Sequence, residues 1–134
     1  MKVVILGLSG FGVQCAAVLH TAGHQLALID KNPAAFNRLP PGLRAAHILG
    51  TGIDEDVMKK AGVGDAELFI AATDSDNANL MAAQVAKVVF GTPRSIARVH
   101  DHHNGALFSS LGLIETVCPT YDAARALEAS LGRN

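Results

Sequence analysis

Cysteine, net charge and long apolar runs are all scarce in this chain, and each scarcity narrows what it can be. Two cysteines, Cys15 and Cys118, stand in 134 residues. They cannot build a disulfide framework. The formal net charge is −1, so no basic surface points to nucleic acid or to an anionic membrane as partner. The apolar runs are strand-sized, and none approaches the ~20 residues that span a bilayer. Direct membrane insertion is therefore not expected. The opening residues read straight into a strand, with no charged leader, so no export signal is expected. Together these absences imply a soluble, cytoplasmic chain. Its length suits one domain and leaves no room for a nucleotide-binding half plus a separate catalytic domain. Repeats, low-complexity segments and hairpin signals are also missing.

What is present begins with Val4-Ile5-Leu6-Gly7-Leu8-Ser9-Gly10-Phe11-Gly12. An apolar run that reads as a buried strand meets three glycines, and a helix opens near Phe11. A second apolar run from Gln25 ends at Asp30, eighteen positions after Gly12. This is the layout of a dinucleotide-binding βαβ unit. The glycines let the backbone turn sharply and approach a phosphate. The free N–H groups at the helix start, with the helix dipole, favour negative charge there. Asp30, followed by Lys31, can accept hydrogen bonds from a ribose 2′- and 3′-OH. The same strand-to-helix turn can also exist without a ligand.

The rest of the chain continues the alternation. Strands are predicted at about 2–7, 25–30, 45–49, 67–72, 94–99 and 114–118. Helices are predicted at about 11–22, 33–39, 54–61, 75–90, 103–111 and 120–131. Asn32-Pro33 is a cap followed by proline at the first helical position. Asp54 can cap the third helix, and Gly23, Gly62 and Gly91 can end theirs. Six strands, each followed by a helix, give a Rossmann-like, doubly wound parallel α/β sheet in the order 3-2-1-4-5-6, with helices on both faces. Such sheets bind ligands beyond the carboxyl ends of their strands, where the order reverses. Gly50-Thr51-Gly52, Ala72-Thr73-Asp74 and Ala97-Arg98-Val99-His100 all end strands on that side. Threonine hydroxyls there can bond adenine or phosphate, or can cap helices. Arg98 can neutralise phosphate bidentately, or can be a solvated strand end.

With those segments in place, the chain resembles the N-terminal domain of the regulator of potassium conductance family, also called RCK, KTN or TrkA-N. The resemblance covers nearly the whole sequence. It rests on the glycine loop, on Leu28-Ile29-Asp30-Lys31-Asn32-Pro33 and on Gly50-Thr51-Gly52. Ala71-Ala72-Thr73-Asp74-Ser75-Asp76-Asn77-Ala78-Asn79-Leu80 and Ala97-Arg98-Val99 complete it, and the 70–80 stretch is the most specific part. The resemblance implies a cytoplasmic regulatory domain of a potassium channel or transporter, held to a membrane pore subunit, that senses NAD(H), ADP, AMP or ATP without catalytic turnover. NAD(H) leads among these. It implies that Gly7, Ser9, Gly10, Phe11 and Gly12 face the pyrophosphate and that Asp30 and Lys31 lie at the adenosine ribose. Thr51 and Gly52 would lie by the adenine, and Thr73, Asp74 and Arg98 by the phosphates or the distal half of the ligand. It also implies that residues 1–118 form the nucleotide domain and residues 119–134 a crossover helix that pairs subunits. Members of the family usually carry a further C-terminal regulatory domain.

The chain departs from that family in three places. Ser9 stands where a second glycine is usual, and its hydroxyl can donate to a phosphate. Gly10 stands where ATP-recognising members often carry arginine. Thr51 replaces an aspartate near the base.

Other constellations carry less. His100, His102 and His103 with Asp101 lie on a loop at a spacing without regular ligand geometry, and no metal site is expected. Cys15 is expected to pack against the sheet and Cys118 to end the sixth strand, so neither is read as a nucleophile. Apolar residues from Leu80 to Phe90 surround nearly the whole 75–90 helix, more than one buried stripe needs. This points to a second subunit, as does Ala123, Ala124, Leu127 and Leu131 on one side of the last helix. Two alternatives stay open: an NAD-dependent oxidoreductase, with His100 as the only remote proton donor, and a dimerising scaffold with a degenerate nucleotide site.

Overall fold

The computed structural model describes residues 1–132. Residues 133 and 134 of the expected crossover segment lie outside the described residues. Six strands, β1 (Lys2–Leu6), β2 (Gln25–Asp30), β3 (Ala46–Leu49), β4 (Leu68–Ala71), β5 (Arg94–Arg98) and β6 (Glu115–Val117), form one sheet. Their order is β3-β2-β1-β4-β5-β6, and every pairing is parallel. The helices are α1 (Gly10–Thr21), α2 (Glu55–Lys60), α3 (Asp76–Val88), α4 (His102–Ser110) and α5 (Pro119–Ser130). The expected order and fold class are those observed.

A parallel sheet is covered on both faces, so its central strands must be apolar on both. Along β1, Val3 and Ile5 join Leu26, Leu28, Ile70 and Ala16 of α1 in one core layer. Val4 and Leu6 join Ile29, Phe69, Met58 of α2 and Ala82 of α3 in the other. A third cluster, built from Leu80, Ala83, Ala97, Val99, Ile114 and Cys118, closes the β5–β6 end.

The caps set the helix starts. Ser9, Asp54, Ser75 and Asp101 each accept backbone N–H bonds at the first turns of α1, α2, α3 and α4. One expectation needs correction, and one element is new. Residues 33–39 do not form an α-helix; Pro33–Arg38 is a 3-10 helix capped by Asn32. Pro40 biases Leu39 out of the helical region, and a run this short between two prolines suits the tighter helix. A further 3-10 turn, Val63–Asp65, was not expected; the Thr92 hydroxyl donates to Val63 O at 2.9 Å and holds it.

Candidate nucleotide site

The strand order reverses between β1 and β4, and a cleft of about 440 Å³ opens at their carboxyl ends. Gly7 makes its floor possible. Its φ is +96°, and a Cβ there would lie 2.6 Å from Thr73 N. At Gly12 a Cβ would lie 2.0 Å from Gly7 O, so α1 packs onto the loop only because both positions are glycine. Gly10 has open space around it, so no packing demand explains it.

Both backbone polar groups of Leu8 are held by charged side chains. Asp30 Oδ2 accepts from Leu8 N at 2.9 Å, and Arg38 Nη1 donates to Leu8 O at 2.8 Å. Asp30 Oδ1 accepts from Asn32 N at 2.9 Å. The acid therefore binds the glycine loop to the turn after β2. A carboxylate has about four acceptor positions, which leaves room for two further hydrogen bonds.

Ser9 is bonded twice within the protein. Its hydroxyl donates to Ala72 O at 2.6 Å and accepts from Gly12 N at 3.3 Å. The proton expected to reach a phosphate is thus committed to the end of β4. Thr73 has the same character: its hydroxyl donates to Asn79 Oδ1 at 2.6 Å and accepts from Ser75 N at 3.2 Å. Gly52 lies flush on the core, where a Cβ would meet Leu6 Cδ2 at 2.4 Å.

Of the residues expected to bind nucleotide, Gly7, Ser9, Asp30, Lys31, Thr51, Gly52, Thr73 and Asp74 line the cleft. Gly10, Phe11, Gly12 and Arg98 are not on its lining. The first three open α1 at the cleft's edge. Arg98 ends β5 with its side chain 10% exposed. Its Nη2 donates to Thr73 O and lies 3.5 Å from Asp74 Oδ1, and its Nη1 lies 3.0 Å from His100 Nε2. The alternative of a solvated strand end is not what forms; the guanidinium sits directly behind the cleft wall. Its Nε has no partner among the described residues.

Asn79 was overlooked as a site residue. It is fully buried, its Oδ1 accepts from Thr73 N, and its Nδ2 donates to Thr73 O and Arg98 O, each at 2.9 Å. The signal was available: residues 79, 82, 83 and 86 share the helical spacing of one buried face, and a buried amide must be hydrogen-bonded. Arg38, which with Lys31 is a cation expected near a 2′-phosphate, is also on the lining, as is Ile53, which carried no such signal.

Neither cysteine is placed for chemistry. Cys15 is half-buried, and burial pushes its thiol up to about 11. Cys118 is buried, with Sγ 3.5 Å from His100 O. His102 does not join His100; it stacks on Tyr121 with ring centroids 3.7 Å apart. Among the described residues no three His, Cys, Asp or Glu side chains gather as a metal would need.

A parallel doubly wound sheet, a glycine turn that only glycine can make and a cleft at the reversal of strand order define a Rossmann-like domain. The TrkA-N domain family model matches residues 3–119, and the chain belongs to that family. It is 34% identical over 113 residues to the Trk system potassium uptake protein TrkA of Streptomyces coelicolor, covering 84% of this chain and 51% of that protein. A TrkA homolog from Methanothermobacter thermautotrophicus is 31% identical over 133 residues, covering 99% of this chain and 61% of its own length. The chain thus spans only half to three-fifths of these relatives. Among solved structures, the Shewanella denitrificans Kef C-terminal domain in its AMP-bound form superposes with a TM-score of 0.79 at 23% identity, covering 100% of this chain and 84% of that one. The GsuK channel bound to NAD superposes with a TM-score of 0.69 at 19% identity, covering 87% of this chain and 21% of that one. At these identities the superpositions establish the fold.

Proposed function

We propose that this chain is the adenine-nucleotide-sensing domain of a cytoplasmic regulatory subunit for potassium uptake, and that NAD(H) is its leading ligand, with ADP, AMP or ATP as alternatives. The observation that carries this reading is the Asp30 carboxylate. It stands at the switch-point cleft with two acceptor positions to spare, facing a glycine turn at the start of α1. Kinship with Trk potassium uptake proteins supplies the class of system. Among the described residues no helix is long and apolar enough to cross a membrane. The mechanism is a population shift: the ligand binds one arrangement of paired domains better, and that difference biases the pore.

The pairing surfaces are proposed to be α3 and α5. On α3 and its cap, Met81, Val88 and Val89 are exposed, and α5 buries none of its residues within the protomer. The oxidoreductase alternative gains nothing from the site, since its one candidate donor, His100, is bonded to Asp76 and lies against Arg98. The scaffold alternative has one observation in its favour: Ser9, Thr73 and Arg98 all turn their polar groups to protein.

Calorimetric titration with NAD+, NADH, NADP+, ADP and ATP tests the reading. NAD(H) and ADP are expected to bind better than NADP(H), because a 2′-phosphate would face Asp30 at hydrogen-bond distance. ATP is expected to gain less than tenfold, ~1.4 kcal/mol, over ADP, since Gly10 offers no side chain to a third phosphate. Asp30→Ala should weaken binding in a folded protein. Tighter binding of NADP+ would overturn the ribose assignment, and no binding by any nucleotide would favour the scaffold.

A further inference from the structure

The end of β5 carries a chain of contacts that nucleotide binding alone does not require. His100 Nδ1 lies 2.7 Å from Asp76 Oδ1. Asp76 also accepts from His100 N at 2.8 Å and from Asp101 N at 3.4 Å. On the other side of the ring, Nε2 lies 3.0 Å from Arg98 Nη1. A guanidinium has only donors, so Nε2 must accept. The ring proton then sits on Nδ1 and is donated to Asp76. Both contacts are satisfied together by one state of the ring, the neutral imidazole with its proton on Nδ1.

Protonation changes only one of them. Asp76 keeps the Nδ1–H bond and gains an opposite charge. Burial pushes the Asp76 carboxyl up, but the bonds from His100 and Asp101 outweigh this and hold it below its usual value. It therefore stays ionised throughout the histidine range. At Nε2 the new proton points at a guanidinium 3.0 Å away, and two positive groups replace a donor and an acceptor. The surrounding charges are Asp76 from α3, Arg98 from β5, Asp74 from the β4–α3 loop beside Arg98, and Asp101 at the start of α4. Cys118, ahead of α5, lies with its Sγ 3.5 Å from His100 O. Asp76 restrains the ring, so the displacement falls on Arg98, which already touches Thr73 and Asp74 of the cleft wall.

We propose that His100 is a proton-operated latch on Arg98. The neutral ring holds the guanidinium behind the wall of the cleft, and the protonated ring frees it to meet ligand phosphates, so that acidification tightens nucleotide binding. The proposal rests on the nucleotide reading of the cleft. It also accounts for why the arginine expected at the phosphates is not on the cleft lining.

The test has a ligand-free arm and a binding arm. In the protein alone, 15N NMR of the imidazole and of the Arg98 guanidinium is followed from pH 8 to 5.5, which spans histidine titration. The expected result is the Nδ1–H tautomer at pH 8 and an Arg98 signal that moves with the His100 titration. An Nε2–H tautomer, or an Arg98 signal indifferent to it, overturns the latch. In the binding arm, NAD+ is used because its pyrophosphate does not titrate in this window. Wild-type affinity should rise about fivefold on acidification, the lower end of ordinary coupling. His100→Gln keeps an acceptor for Arg98 at every pH and should flatten the profile, as should Arg98→Gln. The other five histidines are common to all three proteins. A profile unchanged by His100→Gln overturns the proposal. If NAD+ binds at no pH, the nucleotide reading falls, and the latch is decided by the ligand-free signals.

Discussion

The central β1–α1–β2 unit of the sheet and its β6 edge are built differently. In the β1–α1–β2 unit, Ile5, Leu8, Ala16, Leu28 and Ile29 are fully buried, and the backbone of the glycine loop is gripped by Asp30 and Arg38. At the β6 edge, the strand has three residues, α4 buries only Gly105, and α5 buries none. Leu107, Leu111 and Leu127 are each at least 60% exposed there. The first is completed within the protomer, where each large side chain contributes roughly 1.5–3 kcal/mol by leaving water. The second gains little until another surface covers it. The cleft is thus placed on the well-packed unit, and the exposed apolar surface on the other.

Substitutions can break this contrast, and the largest effect is expected at Gly12. A Cβ 2.0 Å from Gly7 O has no flexible neighbour to yield. Gly12→Ala should cost about 3 kcal/mol or more, a drop of roughly 10 °C in the melting temperature, read by calorimetry or circular dichroism. Asn79→Leu comes next, on the boundary between the two. It removes the bonds that Asn79 makes to the Thr73 N–H and to the Thr73 and Arg98 carbonyls, the Thr73 carbonyl keeping Arg98 Nη2, at about 2–3 kcal/mol. Urea denaturation measures that loss. At the β6 edge, Leu127→Asp should change protomer stability by less than about 0.5 kcal/mol yet lower the mass seen by light scattering, because an unpaired charge would be buried at the contact. Equal masses for Leu127→Asp and wild type would remove α5 from the pairing surface. The smallest effect is expected at Gly10→Ala, within about 0.5 kcal/mol, because nothing lies within 4 Å. The contrast of Gly10 with Gly12, two positions apart in one motif, sharpens the comparison within the well-packed unit itself.

The architecture was legible because its signals are local. Strand-length apolar runs, capping residues and the glycine turn each sit within a few positions, and together they leave one strand order. The cleft residues Gly7, Asp30 and Thr51 followed from that order. What each polar side chain bonds did not follow. Ser9 meets Ala72 across 63 positions, and His100 meets Asp76 across 24; such pairings depend on how strand ends align after the sheet forms. Asp30 was read as a ligand for ribose, and its bond to Leu8 N was invisible for the same reason. On α3 the sequence showed apolar residues all round. Only packing separated Val85, set against the core, from the outward-facing Met81 and Val89. The 3-10 form of Pro33–Arg38 escaped notice because capping signals are shared by both helix types.

The exposed state of α5 has a consequence for how long its backbone stays closed. A twelve-residue helix is marginal in water, since its nucleus is costly and its own turns return little. Tyr121 stacked on His102 is the chief ring contact that ties it to the body. Its amides should therefore exchange with deuterium through local opening, near the low end of the stability range, while those of β1 and β4 wait for global unfolding. If a second copy covers α5, its exchange slows as protein concentration rises, and the exchange of β1 does not. A hydrogen-exchange series over dilution thus reports association at one helix, resolved from the folding of everything else.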